Sequence, residues 1–317
     1  MKISANGPGL MSDFIRAVGG KAEGRFLYIP KSRGAGYITG FNWGDELRMM
    51  IRNYYLNEDV VIEWTNEAMS GQDHVAIQMK GVFPSLQQPD QPLSPELASI
   101  LICKQMPFTS FDMPANTSFG NVTISISQQY LQQLFGQIDH PVVKSVLDAK
   151  DNFVLETGIS ESILYTAGEM LKQNVPESIE NHYYKLKCEE LLCYIFALLT
   201  QREAMPLSRM HIDDIRTVYA IKDRLLSHLA EPPNVALQAK EAGMSEPKLR
   251  KLFKQTFGKN VFDYYQSARI QRAAYLLKEK RLSVSDVGYQ LGFTNLSHFS
   301  RVFEEYIGVK PKKYMML

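Results

Sequence analysis

Basic and polar side chains recur on one side of two short segments near the carboxyl end of this 317-residue sequence. In the first segment the apolar residues Leu249, Leu252 and Phe253 have the spacing of one helical face. The residues that this spacing turns outward are Glu246, Pro247, Lys248, Arg250, Lys251 and Lys254, and all but Glu246 are predicted to contact DNA. Ammonium and guanidinium groups bind phosphate oxygens, and a guanidinium also donates two hydrogen bonds to guanine. The pattern therefore favours contact with nucleic acid, with Arg250 and Lys251 at the bases.

The second segment has the same apolar spacing and a different outward chemistry. Phe299, Val302 and Phe303 form its inner face. The outward positions predicted to contact DNA are Thr294, Asn295, Leu296, Ser297, Ser300 and Arg301. A leucine contacts only a thymine methyl group, and a serine hydroxyl accepts several bases. We expect this segment to discriminate less between sequences.

Each segment follows a short predicted helix and a turn that contains glycine, at Gly243 and at Gly292. A polar residue that can cap a helix, Ser245 or Asn295, precedes each segment. A short helix, a turn and a second helix with one apolar face form a helix-turn-helix motif, whose second helix enters the major groove. Two such motifs indicate contact with two adjacent groove segments.

The tandem motifs resemble the AraC-type transcription regulators, and the resemblance extends over residues 213–317. It includes a bridging segment with Tyr264 or Tyr265, Arg269, Ala273 and Leu276-Leu277. The resemblance implies a DNA-binding domain of two helix-turn-helix subdomains joined by one long helix. The sequence departs from the family pattern at Gln238, where an apolar residue is expected beside Leu237, at Gly288, where alanine is usual, and at Glu304-Glu305, where basic residues are usual.

The net charge of +1 conceals two regions of opposite charge. Residues 1–212 contain 17 basic and 23 acidic residues, whereas residues 213–317 contain 18 and 11, so the net charges are −6 and +7. A basic region that coincides with the tandem motifs is typical of a DNA-binding domain.

Cysteine content and hydropathy predict a cytoplasmic protein. The three cysteines have neither a disulfide framework nor a zinc-binding spacing. The first 14 residues lack the basic and apolar regions of a signal peptide. The longest apolar run, 191–199, is far shorter than the roughly 20 residues of a membrane span.

Residues 24–127 alternate between apolar and polar side chains, as in 47–51, 60–64, 75–79 and 122–126. This period predicts half-buried antiparallel strands in a sandwich or a small barrel. After Ser127 the period becomes helical, and helices are predicted within 128–202, near 160–173 and 177–202 among others. A polar segment at 203–212, with Pro206, is predicted to link this region to the DNA-binding domain at 213–317.

The helix predicted at 177–202 is apolar nearly all round between Leu191 and Phe196. Such a helix must be covered on all sides. Its own domain or a second subunit can provide the cover, and the sequence favours neither.

A β domain followed by helices resembles the sensor half of AraC-type regulators. That resemblance implies a cupin-like barrel that binds a small-molecule effector and helices that pair two subunits. The candidate effector-binding residues are Tyr28, Tyr37, Trp43 and Trp64, although aromatic residues also fill barrel cores.

Signs of catalysis are weak. The glycines between Gly34 and Gly40 miss the dinucleotide-binding spacing and are interpreted as a turn. His74 has no second histidine nearby and is interpreted as structural. We therefore expect no enzymatic activity, catalytic residue, metal site or cofactor.

These observations predict an α+β chain. An antiparallel, cupin-like β-barrel domain with trailing helices forms residues 1–202 and serves as sensor and dimerisation domain, and an all-α tandem helix-turn-helix domain follows. The predicted function is a sequence-specific transcription regulator that responds to a small-molecule effector. The resemblance favours an activator, and the residues alone leave both activation and repression open. Its predicted partners are double-stranded DNA, a second copy of the chain, the effector and RNA polymerase, and no membrane. The alternatives are a constitutive dimeric regulator, or an enzyme or sugar-binding barrel fused to a DNA-binding domain.

Overall fold

Apolar residues repeat every second position along much of the first half of the chain and every three to four positions along most of the rest. The computed structural model describes residues 2–5, 10–64, 73–87, 98–104, 110–150, 152–171, 175–205, 207–278 and 280–316. It divides after His211 into two compact units.

Eight strands of the first unit form one antiparallel sheet. They are β2 (Lys21–Glu23), β3 (Phe26–Tyr28), β4 (Gly34–Asn42), β5 (Leu47–Leu56), β7 (His74–Lys80), β8 (Ser99–Cys103), β10 (Phe119–Ser127) and β11 (Val154–Gly158). Their order in space is β11-β8-β7-β10-β5-β4-β3-β2. The register places Met49, Ile124 and Ile77 side by side across three strands, and all three are buried. Alternation therefore gives the sheet one apolar face, as predicted.

A second sheet contains β1 (Lys2–Ala5), β6 (Val60–Trp64) and β9 (Ser110–Met113) in the order β1-β6-β9. Ile62 and Met113 of this sheet share an apolar cluster with Ile38 and Tyr54 of the large sheet. In the described part of the chain the edge strands β2 and β11 of the large sheet do not pair with each other. The domain is rich in sheet, but the predicted closed, cupin-like barrel is not confirmed, because the sheet remains open.

Helices cover the apolar face of the large sheet. They are α2 (Gln128–Phe135), α3 (Pro141–Leu147), α4 (Glu161–Leu171) and α5 (Glu177–Thr200), and α1 (Leu10–Val18) packs at the smaller cluster instead. The Ser127 side chain accepts a hydrogen bond from the Tyr130 N–H and caps α2. None of the described helices is long and apolar enough to span a membrane.

The apolar half of α5 lies in the core of its own unit. Leu192 and Phe196 have 0% and 1% of their surface exposed, and the Phe196 ring stacks on Phe135 with centroids 4.1 Å apart. A subunit interface at these two residues is therefore excluded, because their own domain already covers them.

Gly36 lies within β4, so the interpretation of this glycine-rich segment as a turn is wrong. Its φ is +104°, and a Cβ atom there would lie 2.1 Å from the Asn53 carbonyl oxygen on β5. The glycine allows two strand backbones to approach closely.

The second unit is helical. It contains α6 (Ile212–Ser227), α7 (Val235–Glu241), α8 (Glu246–Phe257), α9 (Val261–Lys278), α10 (Val284–Gln290), α11 (Leu296–Ile307) and α12 (Pro311–Tyr314). Apolar residues of α9, α10 and α11 form one buried cluster, which includes Ile270, Val287 and Phe299.

The segment predicted as a linker contacts the first unit. The Met210 side chain is 1% exposed, and its N–H donates to the Asn152 carbonyl oxygen at 3.2 Å. The Leu207 N–H donates to the Ser145 hydroxyl at 3.1 Å. Pro206 lies outside the described residues. The linker at 203–212 and the domain boundary at 213 stay predictions.

Candidate nucleic-acid interface

Local hydrogen bonds define the ends of both helices of the first motif, α7 and α8. The Asn234 side chain accepts from the Leu237 N–H at 3.0 Å and starts α7. The Ser245 hydroxyl accepts from the Lys248 N–H at 3.4 Å and starts α8. Gly243 in the turn and Gly258 after α8 have φ values of +64° and +71°, which glycine adopts without strain.

The two faces of α8 differ sharply. Leu249 and Phe253 are 0% exposed, and Leu252 is 5% exposed. On the opposite face the predicted DNA-contacting side chains of Pro247, Lys248, Arg250 and Lys251 are exposed, and that of Lys254 is half-buried. The buried face fixes the rotation of the helix and presents a mainly basic surface.

Carboxylates engage Arg250 and Lys248. The Glu246 Oε1 atom accepts from Arg250 Nε at 2.8 Å and from Arg250 Nη2 at 2.6 Å. The Lys248 Nζ donates to Asp214 Oδ1 of α6 at 2.7 Å. Bound DNA would exchange these pairs for contacts with phosphates or bases. Breaking the exposed Arg250–Glu246 pair costs little, since such pairs contribute about 0–1 kcal/mol.

The sequence interpretation did not identify either carboxylate as a partner. The Glu246–Arg250 pair follows the i, i+4 spacing that stabilises helices, so it could have been found. The Asp214–Lys248 pair joins residues 34 positions apart, for which the sequence offers no local signal.

The second motif, α10 and α11, is built in the same way. The Ser283 hydroxyl accepts from the Asp286 N–H at 3.1 Å, and the Asn295 side chain accepts from the Ser297 and His298 N–H groups at 2.9 and 3.1 Å. Gly292 in the turn has a φ of +75°, and a Cβ atom there would lie 1.9 Å from the Ala230 carbonyl oxygen. The turn therefore requires glycine.

The outward face of α11 has little positive charge. Thr294, Asn295, Ser297 and Arg301 are exposed, whereas Leu296 and Ser300 are half-buried. Glu304 and Glu305 are exposed in the last turn. The helix therefore presents one arginine, neutral polar groups and an acidic end.

The departure at Gly288 is explained by Leu296. A Cβ atom at position 288 would lie 2.6 Å from Leu296 Cδ2 and 3.3 Å from Phe299 Cδ1. The missing methyl group leaves space that the Leu296 side chain occupies. Leu296 thus packs against α10, which reduces what it can offer to a thymine methyl group.

Gln238, which stands where an apolar residue is expected, has its side chain buried inside the domain. Gln238 is 9% exposed and Leu237 is 47% exposed, so Gln238 occupies the inward position of α7. Its Oε1 atom is buried, with no hydrogen-bond partner in the described part of the chain.

The helix α9 packs against both motifs. Toward the first motif, the Tyr264 ring lies 5.4 Å from the Phe253 ring. Toward the second motif, Arg269 Nε donates to the Leu291 carbonyl oxygen at 2.7 Å, and its guanidinium lies 3.6 Å from the centre of the Phe293 ring. Burial lowers the pKa of Arg269. The Tyr265 hydroxyl donates to the Leu229 carbonyl oxygen at 3.0 Å. These contacts connect the two motifs through one helix.

Three of the four candidate effector residues lie at one end of the large sheet. The Tyr37 ring contacts the Phe26 ring edge-on at 5.3 Å, and Tyr28 is 37% exposed beside both. The Trp43 indole N–H donates to the Asn181 Oδ1 atom of α5 at 2.9 Å. The side chain of Trp64 lies outside the described residues.

Arg25 organises this aromatic group. Its guanidinium lies 4.6 Å, 4.7 Å and 5.1 Å from the rings of Phe26, Phe41 and Tyr184. It forms an ion pair with Glu180 of α5. The aromatic side chains thus pack between the sheet and α5, and ligand binding by them stays a prediction.

His74 forms a backbone contact. Its Nε2 atom lies 2.6 Å from the Asp45 carbonyl oxygen. Within the described ranges no group of three histidine, cysteine, aspartate or glutamate side chains is placed to hold a metal ion.

Known proteins match the carboxyl-terminal region. The model of a helix-turn-helix domain family matches residues 238–316. The HTH-type transcriptional activator RhaR of Escherichia coli strain K12 is 34% identical over 94 residues, which are 30% of this chain and 33% of RhaR. The chain therefore aligns with about a third of the length of the curated relatives it matches.

Solved structures with similarity include an AraC-type regulator from Chromobacterium violaceum, 24% identical, covering 33% of this chain and 95% of that one with a TM-score of 0.31. The DNA-binding domain of AdpA in complex with a target DNA is 24% identical and covers 32% and 90%, with a TM-score of 0.30. ToxT from Vibrio cholerae O395 is 16% identical and covers 86% and 98%, with a TM-score of 0.32.

The family model and the sequence relatives coincide with the two motifs, and the resemblance read from the sequence is confirmed there. The second unit of this chain contains a helix-turn-helix domain similar to that of the transcriptional activator RhaR.

Proposed function

We propose that this protein is a sequence-specific transcription regulator that binds double-stranded DNA through α8 and α11 and responds to a small-molecule effector. The exposed basic face of α8, fixed by the buried Leu249 and Phe253, carries the proposal. Arg250 and Lys251 contact bases, and Lys248 and Lys254 contact phosphates. Activation is the expected direction because RhaR is a transcriptional activator. RNA polymerase is then a further partner.

Selection from random DNA with the full chain tests sequence-specific binding. We expect one enriched site, bound with a log–log salt slope of about −5 if roughly six phosphates are neutralised. The control is the double variant Arg250→Ala, Lys251→Ala, which should lose the enrichment. Binding that is independent of salt, or no enriched sequence, would contradict the proposal.

The effector response is a separate step. Sugars, aromatic acids and ferric siderophores form the first panel, and the readout is the affinity for the selected DNA. A compound that binds and shifts this affinity supports the regulator over the constitutive alternative. Binding without any change in DNA affinity contradicts the response.

The protein acts as a homodimer in this proposal, and α5 offers a surface for pairing. Ile179, Leu186 and Cys193 are exposed at seven-residue spacing, so they follow one side of the helix. Tyr165 of α4 is 65% exposed as well. A second copy of the chain that packs its own α5 here would bury this apolar side.

Two substitutions test the pairing surface. Leu186→Glu should give a folded monomer in sedimentation, because the side chain is 52% exposed. Leu192→Glu is the matched control and should unfold the protein, since that side chain is buried. A folded dimer in Leu186→Glu would exclude this face.

Cys193 supports a second test of pairing. Cys103 and Cys188 are buried and Cys193 is exposed, so a short bismaleimide reaches one native thiol per chain. Partial burial and the nearby Glu189 and Glu190 raise the pKa of Cys193. A raised pKa lowers the thiolate fraction at neutral pH, so crosslinking should accelerate as the pH rises past the ordinary range of a thiol. Cys193→Ser should abolish the crosslinked dimer.

A further inference from the structure

Polar side chains gather on the face of the large sheet that is opposite the helices α2–α5. Residues at alternate positions share a face, so Met50, Thr123 and Gln78 lie in one cross-strand row. The next row on the same face contains Arg52, Asn121 and Lys80. Diagonal neighbours in such rows are about 7–8 Å apart, within reach of an arginine side chain.

These polar side chains are buried, and one of them lacks a hydrogen-bond partner among the described residues. Thr123 and Gln78 are each 7% exposed. The Thr123 Oγ1 atom is buried, with no hydrogen-bond partner in the described ranges. An unpaired buried hydroxyl costs about 1–3 kcal/mol, so its presence calls for a partner.

Arg52 is the most unusual member of this group. Its Nε atom contacts the Met50 sulfur at 3.1 Å, a weak acceptor. Within the described residues no carboxylate forms an ion pair with it. Burial lowers its pKa. The Arg52 side chain is partly exposed. A guanidinium with no carboxylate partner among the described residues is available to an external anion, which would form a charge-assisted, hydrogen-bonded pair with it.

Arg25, in the turn between β2 and β3, provides the contrast. It stacks on aromatic rings at the helix-covered face and pairs with Glu180. The chain therefore supplies a carboxylate to Arg25, whereas the described residues supply none to Arg52.

We propose that Arg52, Thr123 and Gln78 bind the carboxylate of a small organic acid inside the first unit. The planar guanidinium matches a carboxylate with two parallel hydrogen bonds, and the hydroxyl and amide add further donors. The apolar body of the acid contacts Ile38 and Met50, which lie on the same face beside Arg52; Ile38 is buried and Met50 is partly buried. Binding itself is independent of DNA, but its role as the effector site rests on the proposed function.

Matched acid and amide pairs test the site in the full-length protein. The probes are 4-iodobenzoate against 4-iodobenzamide and octanoate against octanamide, with inorganic phosphate as a separate arm. Calorimetry should show at least one carboxylate bound about tenfold or more tightly than its amide, as loss of a charge-assisted pair predicts. Crystals soaked in 4-iodobenzoate should show the iodine above the row of Met50 and Thr123.

Arg52→Gln should remove the difference between acid and amide, and Arg52→Lys should restore part of it. The control is Arg48→Gln on the same strand, where the arginine is exposed and paired with Asp45, and which should bind like the unsubstituted protein. If Arg52→Gln does not fold, Thr123→Val serves instead and should weaken the carboxylate several-fold.

The proposal is overturned if neither carboxylate binds, if the amides bind equally well, if phosphate alone binds, or if Arg52→Gln retains the preference. DNA affinity is measured in the same samples. If the carboxylate binds and DNA affinity does not change, the binding site stands but it is not the effector site. Absence of DNA binding under every condition contradicts the proposed function and leaves the carboxylate result standing.

Discussion

The two recognition helices α8 and α11 have the same construction and opposite surface chemistry. Each has three buried apolar residues, a side-chain cap at its start and a left-handed glycine after its end. The outward face of α8 carries Lys248, Arg250 and Lys251, whereas α11 presents Ser297, Arg301 and an acidic end. Because the scaffolding is the same and the side chains differ, we propose a division of work in which α8 selects the sequence and α11 discriminates less between sequences.

The largest effect should come from the spacing between the two half-sites. The helix α9 packs against both motifs, through Tyr264 and through Arg269, and cannot stretch. Recognition helices that meet successive groove segments sit about 34 Å apart. Insertion of about 5 bp between the half-sites rotates one away and should reduce affinity to the non-specific level, about 10³-fold or more weaker.

Fluorescence anisotropy on the selected site and on the extended site measures this effect. Base changes in the spacer at constant length are the control and should be tolerated better. Tight binding to the extended site would show that the two motifs move independently.

The next effect concerns Arg250 on α8. Arg250→Ala should cost about 1–3 kcal/mol on the best site and relax the preference at one base pair, as loss of a bidentate contact does. Selection and titration on single-base variants of the site provide the measurement. The control is Arg224→Ala, an exposed arginine on α6 that pairs with Glu241 and should leave the preference intact. Unchanged preference in Arg250→Ala would assign specificity to α11.

Local signals made most of this comparison predictable from sequence. Ser245 and Asn295 mark helix starts, and the apolar spacing distinguishes inner from outer faces. Alternation likewise identified β5, β7 and β10. These features depend on residues within a few positions of one another, which is the range that periodicity reports.

Long-range features were not predictable in this way. The strand β10 inserts between β5 and β7, and this order depends on tertiary packing that a local pattern does not report. The strand β8 was not predicted, because Ser99–Cys103 has a nearly continuous run of apolar residues instead of alternation. Leu192 and Phe196 are buried, but the apolar pattern of α5 alone does not show which element of the fold buries them. The pairing of Asp214 with Lys248 depends on the same kind of tertiary packing.

Lys254 should separate positioning from specificity within α8 itself. Lys254→Ala should weaken all sequences alike and lower the log–log salt slope by about one, because one phosphate contact is lost. Titrations at several salt concentrations on the selected site and on an unrelated site measure both quantities. A change in base preference with an unchanged slope would place Lys254 at the bases instead.

A smaller effect should follow from Glu246, the carboxylate that engages Arg250. Glu246→Gln removes an exposed ion pair and a negative charge that repels phosphate, so affinity should rise by about 0.2–1 kcal/mol, on the unrelated site as well. The control is Asp223→Asn, an exposed acidic residue outside both recognition helices. Weaker binding in Glu246→Gln would mean that the pair holds Arg250 in its reading position.

The smallest effect should come from Ser297 on α11. It tests whether α8, and not α11, sets the sequence preference. Ser297→Ala removes one hydroxyl that accepts several bases, so preference should change by no more than about 0.5 kcal/mol at any position. The neighbouring Leu296 cannot compensate, because it packs into the space above Gly288 and contacts α10. Gly288→Ala provides the matched test, since the added methyl group must displace Leu296 from that space. If Leu296 then gains contact with a thymine methyl group, selection should show a new preference for thymine in the segment facing α11. An operator specified mainly by that segment in the unsubstituted protein, with Ser297→Ala abolishing it, would reverse the assignment of the two helices.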